Sequence, residues 1–201
     1  TKLEVRGTLI ANGTEADSIT FTSNAGTSKG NWGGVDIKNT QGGNATFDYC
    51  NFKYASAAIN EECCGGGRDS VTHSSFLNST TAIGGVYRAC PPVDSCYFAG
   101  NTYCLASADK AVSNSVFEHN EYGLYSTERV SVSNSTFTNH TQVALYGSRG
   151  TVSSCTIENN NVGVKAFFSG FTLKGNAISS NDIGVELGNY DGYIAPIDSN
   201  Q

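Results

Sequence analysis

The chain has 201 residues, of which 38% are hydrophobic and 15% charged, with 23 Gly and only 3 Pro. Lys and Arg total 12 against 18 Asp and Glu, and the resulting net charge of -6 has the wrong sign for a general nucleic-acid binder. No run of 18 apolar residues occurs, so we expect no membrane span. This composition fits one compact domain or one elongated array of repeats.

The opening segment has a strand-and-turn pattern. Thr1 to Val5 predicts a strand, and LEVRGTLIANGTEADSITFTSN is followed by WGGVDI at Trp32 to Ile37. Residues 1–46 are interpreted as the opening coils of the repeat array that follows.

A repeat of about 20 residues organises the chain from residue 47 onward. Each unit begins with an apolar residue and has a second apolar or aromatic residue five positions later. The units are FDYCNF (Phe47), VTHSSF (Val71), VDSCYF (Val93), VSNSVF (Val112), VSNSTF (Val132), VSSCTI (Val152) and LKGNAI (Leu173). Their starts are 24, 22, 19, 20, 20 and 21 residues apart.

The residue types of the repeat favour a parallel β-helix over a leucine-rich repeat. Val, Ile, Phe, Ser, Thr, Asn and Gly are strand and turn formers, and no amphipathic helix of several turns can be drawn. We therefore predict an all-β, right-handed parallel β-helix with coils of about 20 residues and two loop insertions. The prediction is one domain over 1–201, with regular repeats over 47–187 and a tail or interface segment over 188–201.

A column of Asn residues supports this register. It consists of Asn101, Asn120, Asn160 and Asn181, with Ala55, Ser79 and His140 at the same position in other coils. A stacked Asn bonds both the turn backbone and the Asn of the next coil, so we predict a structural Asn ladder.

The repeats resemble the right-handed parallel β-helix (pectin-lyase-like) superfamily, and are closest in style to its non-enzymatic surface and adhesin proteins. The resemblance covers almost the whole chain through the units from Phe47 to Leu187 and the opening segment. It implies the fold and leaves the activity open, because this superfamily includes lyases, hydrolases, epimerases, adhesins and structural proteins.

No catalytic constellation can be recognised in the sequence. A pectate lyase-like site implies carboxylates recurring at one lateral position, and no such column occurs over successive coils. The paired Asp and G-H-G signatures of polygalacturonases are also missing. We therefore predict no catalytic residue, no metal ligand and no cofactor, and lean towards a protein that is not an enzyme.

Two surface rows could contact a ligand. Charged pairs precede successive units, and Arg129 and Arg149 belong to this row, which is either a basic stripe for an anionic polysaccharide or a self-neutralising set of surface pairs. Tyr125 and Tyr146 follow the inward Leu of adjacent coils, so both point outward about 4.8 Å apart. Stacked tyrosines bind sugars or partners, or stabilise the sheet.

The cysteines predict disulfides between loop insertions. Cys90 is expected to pair with Cys63 or Cys64, and Cys104 with the other. The remaining cysteines, Cys50, Cys96 and Cys155, share an inward position in coils too far apart for bonding, so free buried thiols are expected there.

Sequons and cysteines together favour a secreted or cell-surface protein. N-x-S/T sequons occur at Asn12, Asn44, Asn78, Asn134 and Asn139, and all five are expected at the surface.

The leading functional hypothesis is an extracellular structural or adhesive β-helix without catalysis. No cap is recognisable at either end, so the terminal coils are expected to contact other copies or domains, giving a filament or surface appendage. Carbohydrate is a possible ligand, and nucleic acid is not expected. The alternative is a carbohydrate-active enzyme of the same fold: a lyase, hydrolase or epimerase.

Overall fold

The computed structural model describes residues 1–62, 69–85, 90–188 and 197–198, and these residues form a parallel β-helix. The strands are β1 (Leu3–Val5), β2 (Thr8–Asn12), β3 (Ile19–Phe21), β4 (Val35–Ile37), β5 (Asn44–Asp48), β6 (Cys50–Lys53), β7 (Ala57–Glu61), β8 (Ser70–Thr72), β9 (Ser75–Leu77), β10 (Thr81–Gly85), β11 (Val93–Asp94), β12 (Tyr97–Ala99), β13 (Tyr103–Ala106), β14 (Ala111–Ser113), β15 (Val116–Glu118), β16 (Tyr122–Thr127), β17 (Val130–Ser133), β18 (Thr136–Thr138), β19 (Val143–Ser153), β20 (Thr156–Glu158), β21 (Val162–Lys174), β22 (Ala177–Ser179), β23 (Ile183–Leu187) and β24 (Ile197–Asp198). A single-turn 3₁₀ helix spans Asn39–Gln41. Within the described ranges, no helix has the length and apolar character needed to cross a membrane.

The coils present three faces. The first face contains β2, β5, β8, β11, β14 and β17; the second contains β3, β6, β9, β12, β15, β18, β20 and β22; the third contains β1, β4, β7, β10, β13, β16 and β23. β19 and β21 run from the third face around the corner onto the first, which joins these two faces into one 16-stranded sheet. The second face is a separate 8-stranded sheet.

The strand register confirms the predicted repeat. Successive partners on the second face are Phe52, Phe76, Phe98, Phe117, Phe137, Ile157 and Ile178. Their spacings of 24, 22, 19, 20, 20 and 21 residues equal those of the sequence units. Each coil therefore contributes one apolar side chain from its second face to the core, at the same position in the coil.

A stack of phenylalanine rings forms the centre of the core. Neighbouring rings from Phe21 to Phe137 are nearly parallel, with centroids 4.8, 4.9, 4.8, 4.6 and 4.5 Å apart. This spacing matches the separation of hydrogen-bonded strands, so each ring fills the space directly above the previous one. Phe52 and Phe98 are fully buried, and burial of each such ring contributes roughly 2–3 kcal/mol.

Each coil turns between faces at two bends that contain a left-handed residue. Asn114 and Asn134 lie at the first bend with φ 50°, and Asn139 and Asn159 at the second with φ 58° and 57°. Asn tolerates this conformation because its short side chain bonds the local backbone, which explains the recurrence of Asn and Ser at these positions.

The residue after each second bend points inward and forms the Asn ladder. The Asn101 backbone N–H donates to Asn120 Oδ1 over 2.8 Å, and Asn120 Nδ2 donates to the Phe98 carbonyl of the previous coil over 3.1 Å. Asn160 and Asn181 make the same type of bond over 3.0 Å. Buried turn amides are thereby satisfied without water.

A second ladder at the first bend was not foreseen from the sequence. The Cys50 and Cys96 N–H groups donate to Ser74 Oγ and Ser115 Oγ, each over 3.0 Å, and the Cys155 N–H donates to Asn176 Oδ1 over 2.9 Å. The small inward residues of successive coils are therefore linked by hydrogen bonds from the backbone of one to the side chain of the next.

His140 interrupts the Asn ladder. Its ring is 2% exposed, Nδ1 lies 2.9 Å from Asn160 Oδ1, and Nε2 is buried without a hydrogen-bond partner. Gly123 provides room for the ring, because a Cβ there would lie 3.0 Å from Nε2. Burial lowers the pKa of His140 to about 4, so the ring is neutral at neutral pH.

Candidate functional site

The outer side of the third face carries a cluster of aromatic residues in two columns. In the first column Tyr103 pairs with Tyr122, which is followed by Val143 and Val162 in the next two coils. The second column contains Tyr125, and then Tyr146, Lys165 and Glu186 in successive coils. Both columns point outward because the two residues between them in each strand, such as Gly123 and Leu124, are buried.

The tyrosines of each column stack on one another. The Tyr103 and Tyr122 centroids are 5.1 Å apart at 14°, and those of Tyr125 and Tyr146 are 5.1 Å apart at 19°. Tyr122 also meets Tyr125 edge to face at 5.0 Å, and Phe167 meets Tyr146 in the same way at 5.1 Å. Sequence analysis predicted the outward Tyr125–Tyr146 pair but missed Tyr103 and Tyr122.

A concave site begins where the first column changes from tyrosine to valine. It has a volume of about 410 Å³, and we call it the tyrosine trough. Its residues are Tyr122 at one end, Val143 and Val162 in the floor, Gln142 and Asn161 on the side of the second bend, and Tyr125, Tyr146, Lys165 and Phe167 on the other side. Two short aliphatic side chains following two large rings create this hollow.

The trough carries little net charge. Lys165 Nζ lies 2.7 Å from Glu186 Oε1 and 6.0 Å from the centroid of the Phe167 ring. Burial and the neighbouring tyrosine hydroxyls raise the pKa of Tyr103, so its hydroxyl remains protonated at neutral pH. Hydroxyl, amide and ion-paired ammonium groups therefore surround an apolar floor.

The two arginines of the predicted charged row lie elsewhere. Arg129 and Arg149 are exposed at the corner after the third face, in adjacent coils, because Val130 pairs with Gly150. Neither lines the tyrosine trough. Asp109 and Lys110 form another charged pair that precedes a repeat unit, with their charged groups 3.6 Å apart. Arg68, which precedes an earlier unit in the same way, lies outside the described residues.

The structure reveals a surface imidazole–carboxylate pair that the sequence did not indicate. His73 Nδ1 lies 2.8 Å from Asp48 Oδ1, and the His73 ring stacks on Tyr49 at 4.7 Å. Burial alone would raise the pKa of Asp48, but hydrogen bonds from Thr72 and His73 lower it below its usual value. Asp48 is thus an ionised carboxylate that is hydrogen-bonded to Thr72 and His73 of the next coil.

Glu61 is an unusual buried acid at the end of β7. It is 3% exposed, and its Oε1 has no hydrogen-bond partner. Burial, together with the charges of Asp69 and Asp109, raises the pKa of Glu61 to about 8. Within the described ranges, no three His, Cys, Asp or Glu side chains are arranged to hold a metal ion.

The predicted disulfides are not formed in the described part of the chain. Cys90 and Cys104 are free and buried, and their proposed partners Cys63 and Cys64 lie outside the described residues. Both thiols are enclosed by the coils, and burial raises the pKa of Cys90 and Cys104 well above the usual value. The other three cysteines, Cys50, Cys96 and Cys155, are also free and buried.

Four of the five sequon asparagines are exposed. These are Asn12, Asn78, Asn134 and Asn139, whereas Asn44 is half-buried at the start of β5. Asn134 lies at the first bend, with φ 50°. Glycan attachment at these residues stays a prediction.

Comparison with known families supports the fold. The family model described as "Right handed beta helix region" matches residues 103–200, which include the tyrosine trough. The protein is a right-handed parallel β-helix that fits the pectin-lyase-like superfamily. The strand register extends this β-helix to the part of the chain before residue 103. No curated protein and no solved structure matches the chain.

Proposed function

We propose that the chain is an extracellular adhesive β-helix that binds carbohydrate through the outer side of its third face and catalyses no reaction. The observation that carries the proposal is the tyrosine trough with its stacked tyrosine columns. Ligand pockets combine an apolar lining with a few oriented polar groups, and the trough has this composition. Tyrosine also presents a large rigid surface at a low cost in conformational entropy.

The regular interior supports a scaffold role. Phenylalanine stacking occupies the core, and hydrogen-bonded ladders occupy both bends. The first face carries a column of short polar residues, Ser113, Ser133 and Ser153, in successive coils. Extracellular location is supported by the exposed sequon asparagines. It no longer draws support from disulfides, since the described cysteines are free.

Assembly into a filament or surface appendage is part of the proposal. At the last described coils Ile183 and Leu187 are 44% and 51% exposed, and at the first coils Leu3 and Ile10 are 41% and 65% exposed. Apolar residues in edge strands favour contact with another copy or another domain. Electron microscopy of the native material is expected to show rods joined end to end.

The experiment is retention on immobilised polysaccharides with a parallel assay for new reducing or unsaturated ends. The wild-type chain is expected to be retained by at least one polymer and to release no ends. A Tyr125→Ser/Tyr146→Ser variant should lose retention, whereas Tyr97→Ser, on the second face, should keep it. Absence of retention on every polymer would contradict the proposal.

A carbohydrate-active enzyme is the second candidate. The Asp48–His73 pair favours it, because a carboxylate that orients an imidazole leaves the other ring nitrogen available as a base. New ends that disappear in a His73→Gln variant would establish this alternative.

A further inference from the structure

We infer that the tyrosine trough binds one uncharged hexopyranose unit of a glycan, with the sugar ring lying against the free face of Tyr122. The inference rests on the proposed function, because it names the class of sugar and its position.

One face of the Tyr122 ring is left open by its neighbours. Tyr103 covers one face of the Tyr122 ring at 5.1 Å, and Tyr125 meets the ring edge to face. The residues that continue the column, Val143 and Val162, carry no ring to cover the opposite face. That face is therefore directed along the helix axis into the trough. A pyranose ring has a face of C–H groups that fits a flat aromatic surface.

Polar groups surround the apolar floor of the trough. Val143 and Val162 are each 8% exposed and form a flat apolar base. The amides of Gln142 and Asn161 flank this base on one side, and the Tyr146 side chain flanks it on the other. A bound sugar would thus have its ring against apolar groups and its peripheral hydroxyls beside amide and phenol partners.

The charges around the trough favour neutral sugars over uronates. Lys165 is the cation among the residues lining the trough, and Glu186 pairs with it at 2.7 Å. A uronate would have to displace Glu186, or be buried near it without its own partner. The net charge of -6 also repels polyanions at low salt.

The size of the trough limits the length of glycan that it can hold. The volume of about 410 Å³ lies in the range of small-molecule pockets. The trough is too short along the helix axis to hold several sugar units of a polysaccharide, because its floor spans only the two coils of Val143 and Val162, roughly 5 Å apart. One unit of a chain, or a terminal unit, is the fitting occupant.

The test fills the trough by replacing one valine of its floor and leaves its tyrosine and amide side chains in place. In Val143→Tyr the new ring continues the Tyr103–Tyr122 stack and covers the free face of Tyr122. The matched control is Thr81→Tyr, which extends the same column at its other end, beside Tyr103 and away from the trough. Both variants should melt within a few degrees of wild type, because each adds one ring to an existing stack.

Binding is measured by calorimetry with cellohexaose, laminarihexaose and mannohexaose as neutral probes and oligogalacturonate as the acidic probe. At least one neutral probe should bind the wild type, and Val143→Tyr should weaken it by about tenfold or more while Thr81→Tyr leaves it unchanged. If Val143→Tyr fails to fold, Tyr122→Leu tests the same contact, because it removes the ring against which the sugar is proposed to lie. Its expected effect is again a loss of about tenfold.

Three other outcomes would overturn the inference. If a neutral probe binds equally well to the wild type, Val143→Tyr and Tyr122→Leu, the trough is not its binding site, but the proposed function still stands. Binding of oligogalacturonate and of no neutral probe would refute the inference that the bound sugar is uncharged. If the wild type binds none of these probes and is retained by no polysaccharide, the proposed function fails as well.

Discussion

Replacement of His140 by Asn should stabilise the fold and remove part of its acid sensitivity. In the wild type Nε2 is buried without a partner, which costs about 1–3 kcal/mol. An Asn at this position has precedent in the same ladder, where Asn181 Nδ2 donates to the Ile157 carbonyl and faces Gly163 as His140 faces Gly123. We expect His140→Asn to raise the free energy of unfolding at pH 7 by about 1–2 kcal/mol.

The pH dependence of this effect follows from the lowered pKa of His140. The folded pKa of about 4 lies below the unfolded value of 6.5, so the unfolded chain binds more protons between these values and stability falls as the pH drops from 6.5 to 4. A difference of about 2.5 pKa units corresponds to about 3 kcal/mol, which the wild type should lose over this range.

Urea unfolding at pH 7 and pH 4.5 measures both quantities. The advantage of His140→Asn over wild type should increase at the lower pH. The matched control is His119→Asn, at an exposed bend position in the previous coil, which should show a much smaller increase, because the His119 charge is the smallest of the causes that act on the His140 pKa. An advantage that is equal at both pH values would refute the account of His140 as a buried neutral ring.

Three further substitutions test the core and its packing. Phe98→Ala removes a ring from the middle of the stack and should cost about 3–5 kcal/mol in urea unfolding, with a loss of cooperativity signalling a break between the two halves. Gly123→Ala should destabilise the fold measurably in a thermal melt, because its Cβ would lie 2.4 Å from the Ala144 carbonyl oxygen, whereas Gly7→Ala meets no atom within 4 Å and should be nearly neutral. Glu61 has a folded pKa of about 8, above the unfolded value of 4.5, so the wild type should lose stability as pH rises from 4.5 to 8, and Glu61→Gln should flatten this part of the pH profile; an unchanged profile would contradict its burial as a neutral acid.

The periodic features of the fold could be predicted from the sequence. A residue that recurs once per coil occupies one column, so the unit starts, the Asn ladder and the outward Tyr125–Tyr146 pair follow from spacing alone. The structure places Tyr125 and Tyr146 5.1 Å apart, close to the expected strand separation.

Features that depend on two columns or on loops could not be predicted. The tyrosine trough requires knowing that Tyr122 and Val143 share a column beside that of Tyr146, and the change from an aromatic to an aliphatic residue in that column is not part of the repeat. The Asp48–His73 contact joins a strand end to a bend of the next coil. The buried state of Cys90 and Glu61 depends on packing between residues far apart in the sequence, with Asp109 near both of them, which spacing does not specify.

The measurement that tests the central claim most directly is an NMR titration of the ring-labelled tyrosines with cellohexaose, laminarihexaose or mannohexaose. We predict that the Tyr122, Tyr125 and Tyr146 resonances shift on addition of a binding sugar. The Tyr97 resonance, from the second face, should remain fixed. The anomeric signals of the sugar should keep their number and intensity over time, because the protein binds the chain without cleaving it. Shifts confined to other tyrosines, or the growth of new reducing-end signals, would contradict the account.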